Sequence, residues 1–453
     1  MSDEQAIFIE QSADAEPKIG DLIEKQVPRD NPASGLESMM APSTLAPQGP
    51  PPPPDGGFHA WATVAGSFLA LFVQFGLANS FGILQSYYEE NQLSNLSSSE
   101  ISWIGGLQQF LLFFGGLFSG RIFDSHGAHI LLLPGSLIFT TSLMLTSLCY
   151  NYYQFILCQG IFFGIGSSLV FHSGIAVPAQ WFARRRALAM GIAVSGSGLG
   201  GTLWPIALSR MFNTIGKIFR FFSYFRSESL FLLTLSNLLI RTRLPRRKPA
   251  PWNASLQQLK DIPFVLFAFS IAFVFFGLYT PFFYVTTNAA RIGTSSAITF
   301  YSLSFINAGS TIGRLLAGAG DYIGRMNLAI FSSLVSGILL LAFWIPLSTA
   351  PAIIGFSVVY GFFAGLYISL IPACIAQISH HHEIGLRLGL AWGIVSIFAL
   401  FGPPISGALI SNYGGGAKGY EMAGMFSGVV VLAGTVFTVG SRFCLNKEVF
   451  AVM

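Results

Sequence analysis

The sequence predicts an all-α integral membrane protein in which twelve transmembrane helices form two six-helix halves. The chain of 453 residues is 52% hydrophobic and only 10% charged, whereas about 25% of the residues in a typical soluble domain are charged. A helix needs about 20 apolar residues to cross the hydrocarbon of a bilayer. Runs of this kind are predicted at residues 59–86, 101–121, 128–149, 152–178, 186–211, 218–240, 263–288, 296–317, 327–348, 351–378, 386–411 and 421–443. The short loops between most of them imply that successive helices are antiparallel.

An internal repeat divides these runs into two halves. After the second run the chain reads GRIFDSHG, and after the eighth it reads GDYIGR. The first copy places Asp124 three residues before Gly127, and the second places Asp321 three residues before Gly324, which the basic Arg325 follows directly. Asp and Gly favour turns in general, so one copy alone is weak evidence. Two copies at equivalent helix ends predict a duplicated gating turn.

The repeat and the charge pattern together define the predicted domains. Residues 55–240 are the first half, residues 241–262 are a basic cytosolic linker, and residues 263–453 are the second half. Residues 1–54 are acidic, lack apolar periodicity and end in a run of prolines, which predicts a disordered tail. This tail is not a signal peptide, because no basic start is followed by an apolar core.

The basic residues predict the orientation of the helices. Cytoplasmic loops of membrane proteins carry an excess of Lys and Arg, and a cytosolic tail places most of the basic residues in inner loops. We therefore expect a multi-pass protein of the plasma membrane, surrounded by the lipid bilayer, with both termini in the cytosol. These cations lie between apolar runs rather than on one folded face, so we expect no nucleic-acid partner. The inner loops would hold Arg121, Arg184, Arg185, Arg186, Arg241, Arg243, Arg246, Arg247, Lys248, Lys260, Arg325 and Arg387.

The sixth run departs from this pattern. Its first half contains Lys217, Arg220, Arg226 and Glu228, so the uncharged part covers only Ser229–Ile240. Twelve helical residues span about 18 Å, against about 30 Å of hydrocarbon. Either this helix is distorted and partly interfacial, or the translated sequence is locally wrong, for example through a misplaced exon boundary.

Two motifs resemble the signatures of the monocarboxylate transporter family of the major facilitator superfamily. Residues 181–201 read WFARRRALAMGIAVSGSGLGG, with small residues such as Gly196 and Gly200 four apart, and residues 55–61 read DGGFHAW. Without the resemblance, the first motif is a helix-packing face behind a basic cluster, and the second is a helix start beside an interfacial Trp. The resemblance implies the major facilitator fold and alternating access between two halves around a central site.

Arg314 is the first candidate for substrate binding, because ionisable residues inside a membrane are costly and mark functional sites. It lies in the eighth run, seven residues before Asp321. A structural arginine could instead extend its head group to water. The resemblance places Arg314 where the family keeps an arginine that grips a substrate carboxylate.

Three further residues join this candidate site. By the resemblance, Ser310 stands where well-studied members carry an Asp, and Asn79 stands where they carry a Lys. Both family residues are implicated in proton coupling, so we expect weaker pH dependence than in a proton–lactate symporter and a larger or less charged substrate. Asn307 is a further polar residue of the eighth run that could line the cavity or join helices by hydrogen bonds.

We therefore expect a secondary active transporter of a small organic solute, either monocarboxylate-like or a related metabolite, with proton coupling left open. The alternative is an exporter or facilitator of a larger metabolite, riboflavin-like or a secondary metabolite. A transporter-shaped receptor is less favoured, because the tail is too short for a folded signalling domain. No nucleophile–base pair or phosphate loop is visible, so we expect neither an enzyme nor a cofactor. The adjacent residues His380, His381 and His382 do not predict a metal site, since neighbours on a helix do not face one centre.

Overall fold

The computed structural model describes residues 53–96, 98–215, 218–244, 257–380 and 383–445. For residues 86, 89–90, 98–99, 209–215 and 218–226 it describes the backbone alone. The predicted disordered tail up to residue 52, the linker residues 245–256 and the two histidines His381 and His382 lie outside the described residues. The same holds for Gly216 and Lys217 in the sixth predicted run.

Twelve long helices follow one another in the order that the apolar runs predict, and the described ranges contain no strand. Ten of these helices are long and apolar enough to cross a membrane, whereas α6 and α8 carry more polar residues. The predicted all-α membrane fold is confirmed. The helices are α1 (Phe58–Asn79), α2 (Glu100–His126), α3 (His129–Thr146), α4 (Tyr152–Trp181), α5 (Arg186–Ile215), α6 (Ile218–Leu239), α7 (Ile262–Arg291), α8 (Ser296–Leu315), α9 (Arg325–Trp344), α10 (Ala350–Gln377), α11 (Ile384–Asn412) and α12 (Ala417–Leu445).

The first predicted run, residues 59–86, is broken into two helices. α1 ends at Asn79, and a second helix, Phe81–Glu90, begins after Ser80. The Ser80 hydroxyl donates a hydrogen bond of 2.9 Å to the Gly76 carbonyl. A serine that bonds to the carbonyl four residues earlier often bends a helix. Hydropathy does not locate this break, because the stretches that flank Asn79 and Ser80 are mostly apolar.

The packing of the helices gives two groups, α1–α6 and α7–α12, with contacts between them. Within the first group α1 packs along α5 and α3 along α4, and within the second α8 packs along α10 and α7 along α12. The two groups meet most extensively where α5 packs on α8 and where α2 packs on α11, and α10 also contacts α5. The domain boundaries at residues 240 and 263 stay predictions.

Close backbone contacts at glycines hold these pairs together. A Cβ on Gly191 of α5 would collide with the Arg314 carbonyl of α8, and a Cβ on Gly389 of α11 would collide with the Gly116 carbonyl of α2. Gly196 lies on another face of α5, where a Cβ would collide with the Phe68 carbonyl of α1. Small residues allow such close approach of helices in membranes. The glycine-rich motif therefore packs α5 against both α1 and α8.

Candidate functional site

Arg314 lies in the last turn of α8, in the contact between the two groups of helices. Its side chain is buried, with only 1% of the residue exposed. The Nη1 group donates to the Val194 carbonyl at 3.1 Å and to the Ser197 hydroxyl, both on α5. The Nε group has no hydrogen-bond partner in the structure. A buried guanidinium whose Nε–H group is unused can donate to an anionic or strongly polar group of a ligand.

Asn307 lies on the same face of α8, seven residues or about two helical turns before Arg314. A Cβ on Gly201 of α5 would lie 2.5 Å from the Asn307 side-chain oxygen. The amide nitrogen donates to the Leu303 carbonyl at 3.1 Å, whereas the oxygen has no partner. Asn307 and Arg314 therefore form a polar strip of α8 that faces α5.

The structure does not bring Ser310 into this strip. Its hydroxyl faces α10, where a Cβ on Gly365 would lie 2.5 Å from Ser310 Oγ. The Ser310 hydroxyl is fully buried and has no partner. Around the helix axis, Ser310 is offset by about 60° from Asn307 and by about 40° from Arg314, so it lies at the edge of the strip that faces α10.

Asn79 is also separated from Arg314. α1 packs along α5 with Phe68 beside Gly196, which is the level of the α5 partners of Arg314. Asn79 is the last residue of α1, eleven residues beyond Phe68, so it lies about 16 Å further along the helix axis. In this conformation the predicted partners Asn79 and Arg314 do not share a site.

Sequence reasoning missed Tyr279 of α7. This residue is 4% exposed, and within the part of the chain that the structure describes its hydroxyl has no hydrogen-bond partner. It interacts electrostatically with the Arg314 guanidinium. The Tyr279 ring contacts the Phe275 ring edge-on, with 5.6 Å between the centroids. Tyr279 thus connects the polar strip to a set of aromatic residues.

This set, here called the central aromatic cluster, consists of Phe75, Phe113, Phe171, Phe275 and Trp392. Trp392 of α11 stacks on Phe113 of α2 with 5.1 Å between centroids and 11° between planes. It also contacts Phe171 of α4 at 5.4 Å and Phe275 of α7 at 5.5 Å. Phe75 of α1 contacts Phe171 at 5.6 Å. The cluster therefore joins both groups of helices in the interior of the protein.

The indole N–H group of Trp392 is unusual, because it is buried within this cluster and unpaired among the described residues. Trp392 as a whole is 2% exposed. Buried tryptophans usually find a partner for this group. No local pattern marks the cluster in the sequence, since five helices contribute to it and the chain contains 44 phenylalanines.

The second copy of the turn motif holds the start of α5. The two carboxylate oxygens of Asp321 accept hydrogen bonds of 3.1 Å from the backbone amides of Ala187 and Leu188. Arg325 forms an ion pair with Asp321 at 2.8 Å and donates to the Ala183 carbonyl at 3.0 Å. A carboxylate at a helix N-terminus satisfies free amides and interacts favourably with the helix dipole. This contact joins the two groups of helices.

The first copy of the motif lies at the start of α11. A Cβ on Gly385 would lie 2.5 Å from an Asp124 carboxylate oxygen. The glycines of the two turns, Gly127 and Gly324, have φ angles of 86° and 101°, which residues other than glycine rarely adopt. The two copies therefore occupy equivalent places, Asp124 beside α11 and Asp321 beside α5. Their role in gating stays a prediction.

The two motifs of the resemblance contact each other. The Asp55 carboxylate accepts hydrogen bonds from the amides of Ala183 and Arg184 at 2.7 and 2.8 Å. The rings of Trp61 and Phe182 meet edge-on at 5.1 Å. The segment that begins α5 is thus held by Asp55 from one side and by the Asp321–Arg325 pair from the other.

Known proteins similar to this chain are transporters. A family model described as Major Facilitator Superfamily matches residues 62–320. An aspyridones efflux protein of Emericella nidulans is 38% identical over 399 residues, which cover 86% of this chain and 79% of that protein. An agnestins efflux protein of Paecilomyces divaricatus is 37% identical over 422 residues, which cover 92% of this chain and 94% of that protein.

A solved structure shows the same fold. The human organic anion transporter MFSD10 (TETRAN) matches with a TM-score of 0.65, covering 84% of this chain and 98% of that chain, at 14% identity. The monocarboxylate transporter family, which the two motifs resemble, is not confirmed by these similarities. The family match and the two efflux proteins nevertheless agree on the broader group: the chain belongs to the major facilitator superfamily.

Proposed function

We propose that the protein exports a secondary metabolite that combines an aromatic or unsaturated body with an anionic or strongly polar group. The observation that carries this proposal is the buried Arg314 guanidinium, whose Nε has no partner among the described residues, in an interior that also holds the central aromatic cluster. The efflux proteins among its relatives support the same direction of transport. The protein would work by alternating access between its two groups of helices.

Arg314 supplies the polar part of the proposed site. A guanidinium is planar and can bind a carboxylate through two parallel hydrogen bonds. Its Nε donor has no partner, and the Asn307 oxygen seven residues away is also unpaired. Since unpaired polar groups are costly in a buried site, a ligand that bonds to them gains affinity. Arg314 and Asn307 are therefore the proposed substrate-binding residues of α8.

The central aromatic cluster supplies the apolar part. Aromatic side chains bind flat ligands through stacked and edge-on contacts, and Trp392 adds an unpaired donor. A carboxylate with only a few carbon atoms, such as lactate, cannot contact rings contributed by five helices. The site thus favours a metabolite exporter over a monocarboxylate transporter, although the two sequence motifs keep the latter as the second candidate.

The two turns are the proposed gate. In this conformation the Asp321–Arg325 pair is bonded to the start of α5, and Asp124 lies at the start of α11. Opening this end of the protein requires that the two groups of helices separate there. We infer that Asp124, Gly127, Asp321, Gly324 and Arg325 set the free energy of that opening.

The proposed orientation places the gate on the cytosolic side. The positively charged residues Arg184 and Arg185 lie directly before α5, and Arg186 is its first residue, beside the gate. Positive residues are retained in the cytosol, so both termini are cytosolic in this proposal. Transport from the cytosol across the plasma membrane then amounts to export.

Counterflow in proteoliposomes tests the substrate class. The purified protein is reconstituted, the vesicles are loaded with an unlabelled compound, and uptake of the labelled compound is measured. We expect counterflow of anthracenecarboxylate, which has an aromatic body and one carboxylate, and little counterflow of lactate. Lactate counterflow that equals or exceeds that of anthracenecarboxylate would support the monocarboxylate alternative instead.

A further inference from the structure

A cavity of about 710 Å³ opens beside the start of α3, away from the proposed substrate site. His126 and His129 line it from the turn between α2 and α3, and Arg241 lines it from the segment after α6. Ile130 and Leu133 of α3 form an apolar part of the wall. The cavity thus combines one permanent positive charge and two imidazoles with an apolar border.

The backbone around this cavity is fixed by hydrogen bonds. The Thr242 hydroxyl accepts from the Ala128 amide at 3.0 Å, which ties the segment after α6 to the turn before α3. The Arg241 carbonyl accepts from the Trp181 indole at 2.9 Å. Arg243 donates to the Gln180 carbonyl at 3.2 Å. These bonds fix the backbone of Arg241, and the Arg241 residue lines the cavity.

An apolar groove continues from the cavity along the outside of the protein. A second cavity of about 530 Å³ lies between α3 and α6, and its wall combines four apolar side chains with three hydroxyl side chains, which are Leu137, Met144, Leu230 and Phe231 with Thr140, Ser227 and Thr234. Leu133 of the first cavity and Leu137 of the second are one helical turn apart, and they are 55% and 53% exposed. A hydrogen bond of 3.1 Å joins the two helices, donated by the side-chain amide of Asn237 on α6 to the Ser136 hydroxyl on α3.

The length of this surface matches one leaflet of a bilayer. From His129 in the first cavity to Thr140 in the second, α3 rises about 16 Å, which is half of the roughly 30 Å of hydrocarbon. The basic side chains therefore lie at the depth of lipid head groups, and the groove lies at the depth of acyl chains. Lys and Arg near a membrane surface attract anionic lipids.

We propose that this surface binds one anionic phospholipid of the leaflet on the side of Arg241. The phosphate contacts His126, His129 and Arg241, and one acyl chain lies in the groove between α3 and α6. The site touches no residue of the proposed substrate site. It would hold α6, whose packing partners are α1 and α3, against the rest of the first group of helices.

Native mass spectrometry of the purified full-length protein tests this proposal. The protein is mixed with phosphatidylserine or with phosphatidylcholine, and the retained lipid is counted. We expect one molecule of phosphatidylserine to be retained at least fivefold more strongly than phosphatidylcholine. The double variant His129→Gln/Arg241→Gln should lose this preference. The matched control Lys260→Gln, which removes an exposed cation outside the cavity, should keep it.

Two further measurements separate a lipid from a free phosphate compound. Leu137→Trp, which fills the groove without changing charge, should reduce retention of both lipids. Glycerophosphoserine, which has the head group but no acyl chains, should not displace phosphatidylserine even in large excess. Equal retention of the two lipids, an equal loss in Lys260→Gln, or displacement by glycerophosphoserine would each overturn the proposal. Gel filtration of each variant checks that it is folded.

Discussion

Arg314 provides the sharpest prediction about substrate binding. Arg314→Ala removes a buried guanidinium that is bonded to α5 and has one unused donor. A hydrogen bond to a charged group contributes about 1.5–3 kcal/mol, so loss of a bidentate contact with a substrate carboxylate costs about 3 kcal/mol or more. Each 1.4 kcal/mol changes affinity tenfold. Affinity for anthracenecarboxylate should therefore fall by about 100-fold or more.

Arg314→Lys separates charge from geometry. Lysine keeps the positive charge but loses the planar pair of donors. Loss of one charged hydrogen bond corresponds to about tenfold in affinity, so this variant should lie between wild type and Arg314→Ala. Wild-type affinity in Arg314→Lys would show that a positive charge is sufficient for binding and that the planar pair of donors is not required.

The assay is equilibrium binding of fluorescent anthracenecarboxylate to the purified protein, with two control variants. Ser197→Ala removes a hydrogen-bond partner of Arg314 on α5 without removing the charge, so it should change affinity much less. Arg325→Ala breaks the ion pair of the gate and should slow transport while leaving affinity close to that of wild type. Wild-type affinity in Arg314→Ala would refute the assignment of this residue to the site.

Three further predictions concern the aromatic cluster, the gate and the topology. Trp392→Ala removes ring contacts worth more than 1 kcal/mol and should weaken binding of anthracenecarboxylate about tenfold or more. The control is Phe401→Ala, which removes an exposed aromatic ring of the same helix and should not weaken binding. Equal effects of the two variants would exclude the cluster from the site. Asp321→Asn and Asp124→Asn should slow counterflow several-fold at normal membrane expression, and unchanged rates in both would reduce these residues to turn formers. Tags at either terminus should resist protease added to intact cells, and cleavage at either end would contradict the proposed topology.

Much of the fold is predictable because the membrane restricts the chain so strongly. A spanning segment must satisfy its backbone as a helix of defined length, so apolar runs alone locate most helices. α6 and α8 are the exceptions, because neither is apolar enough along its length to be identified as a spanning helix in this way. For α8, the repeated turn that follows it supports the prediction.

The candidate site is less predictable because its residues come from separate helices. Arg314 is found from the sequence because a lone cation in an apolar run is costly. Ser310 lies four residues before Arg314 and is offset from it by only about 40° around the helix axis, yet its hydroxyl meets α10. Asn79 is placed beside Arg314 by resemblance, whereas the parallel packing of α1 and α5 separates them along the membrane normal. The aromatic cluster requires the packing of five helices and has no signature in any one of them.

Direct measurement of efflux from cells tests the central claim of metabolite export. Cells that express the protein are loaded with anthracenecarboxylate, and its release is followed after transfer to fresh medium, beside cells that express equal amounts of Arg314→Ala. The account predicts faster release with wild type than with the variant or with cells lacking the protein. Equal release from all three, or accumulation of the compound driven by the wild-type protein, would contradict export through this site.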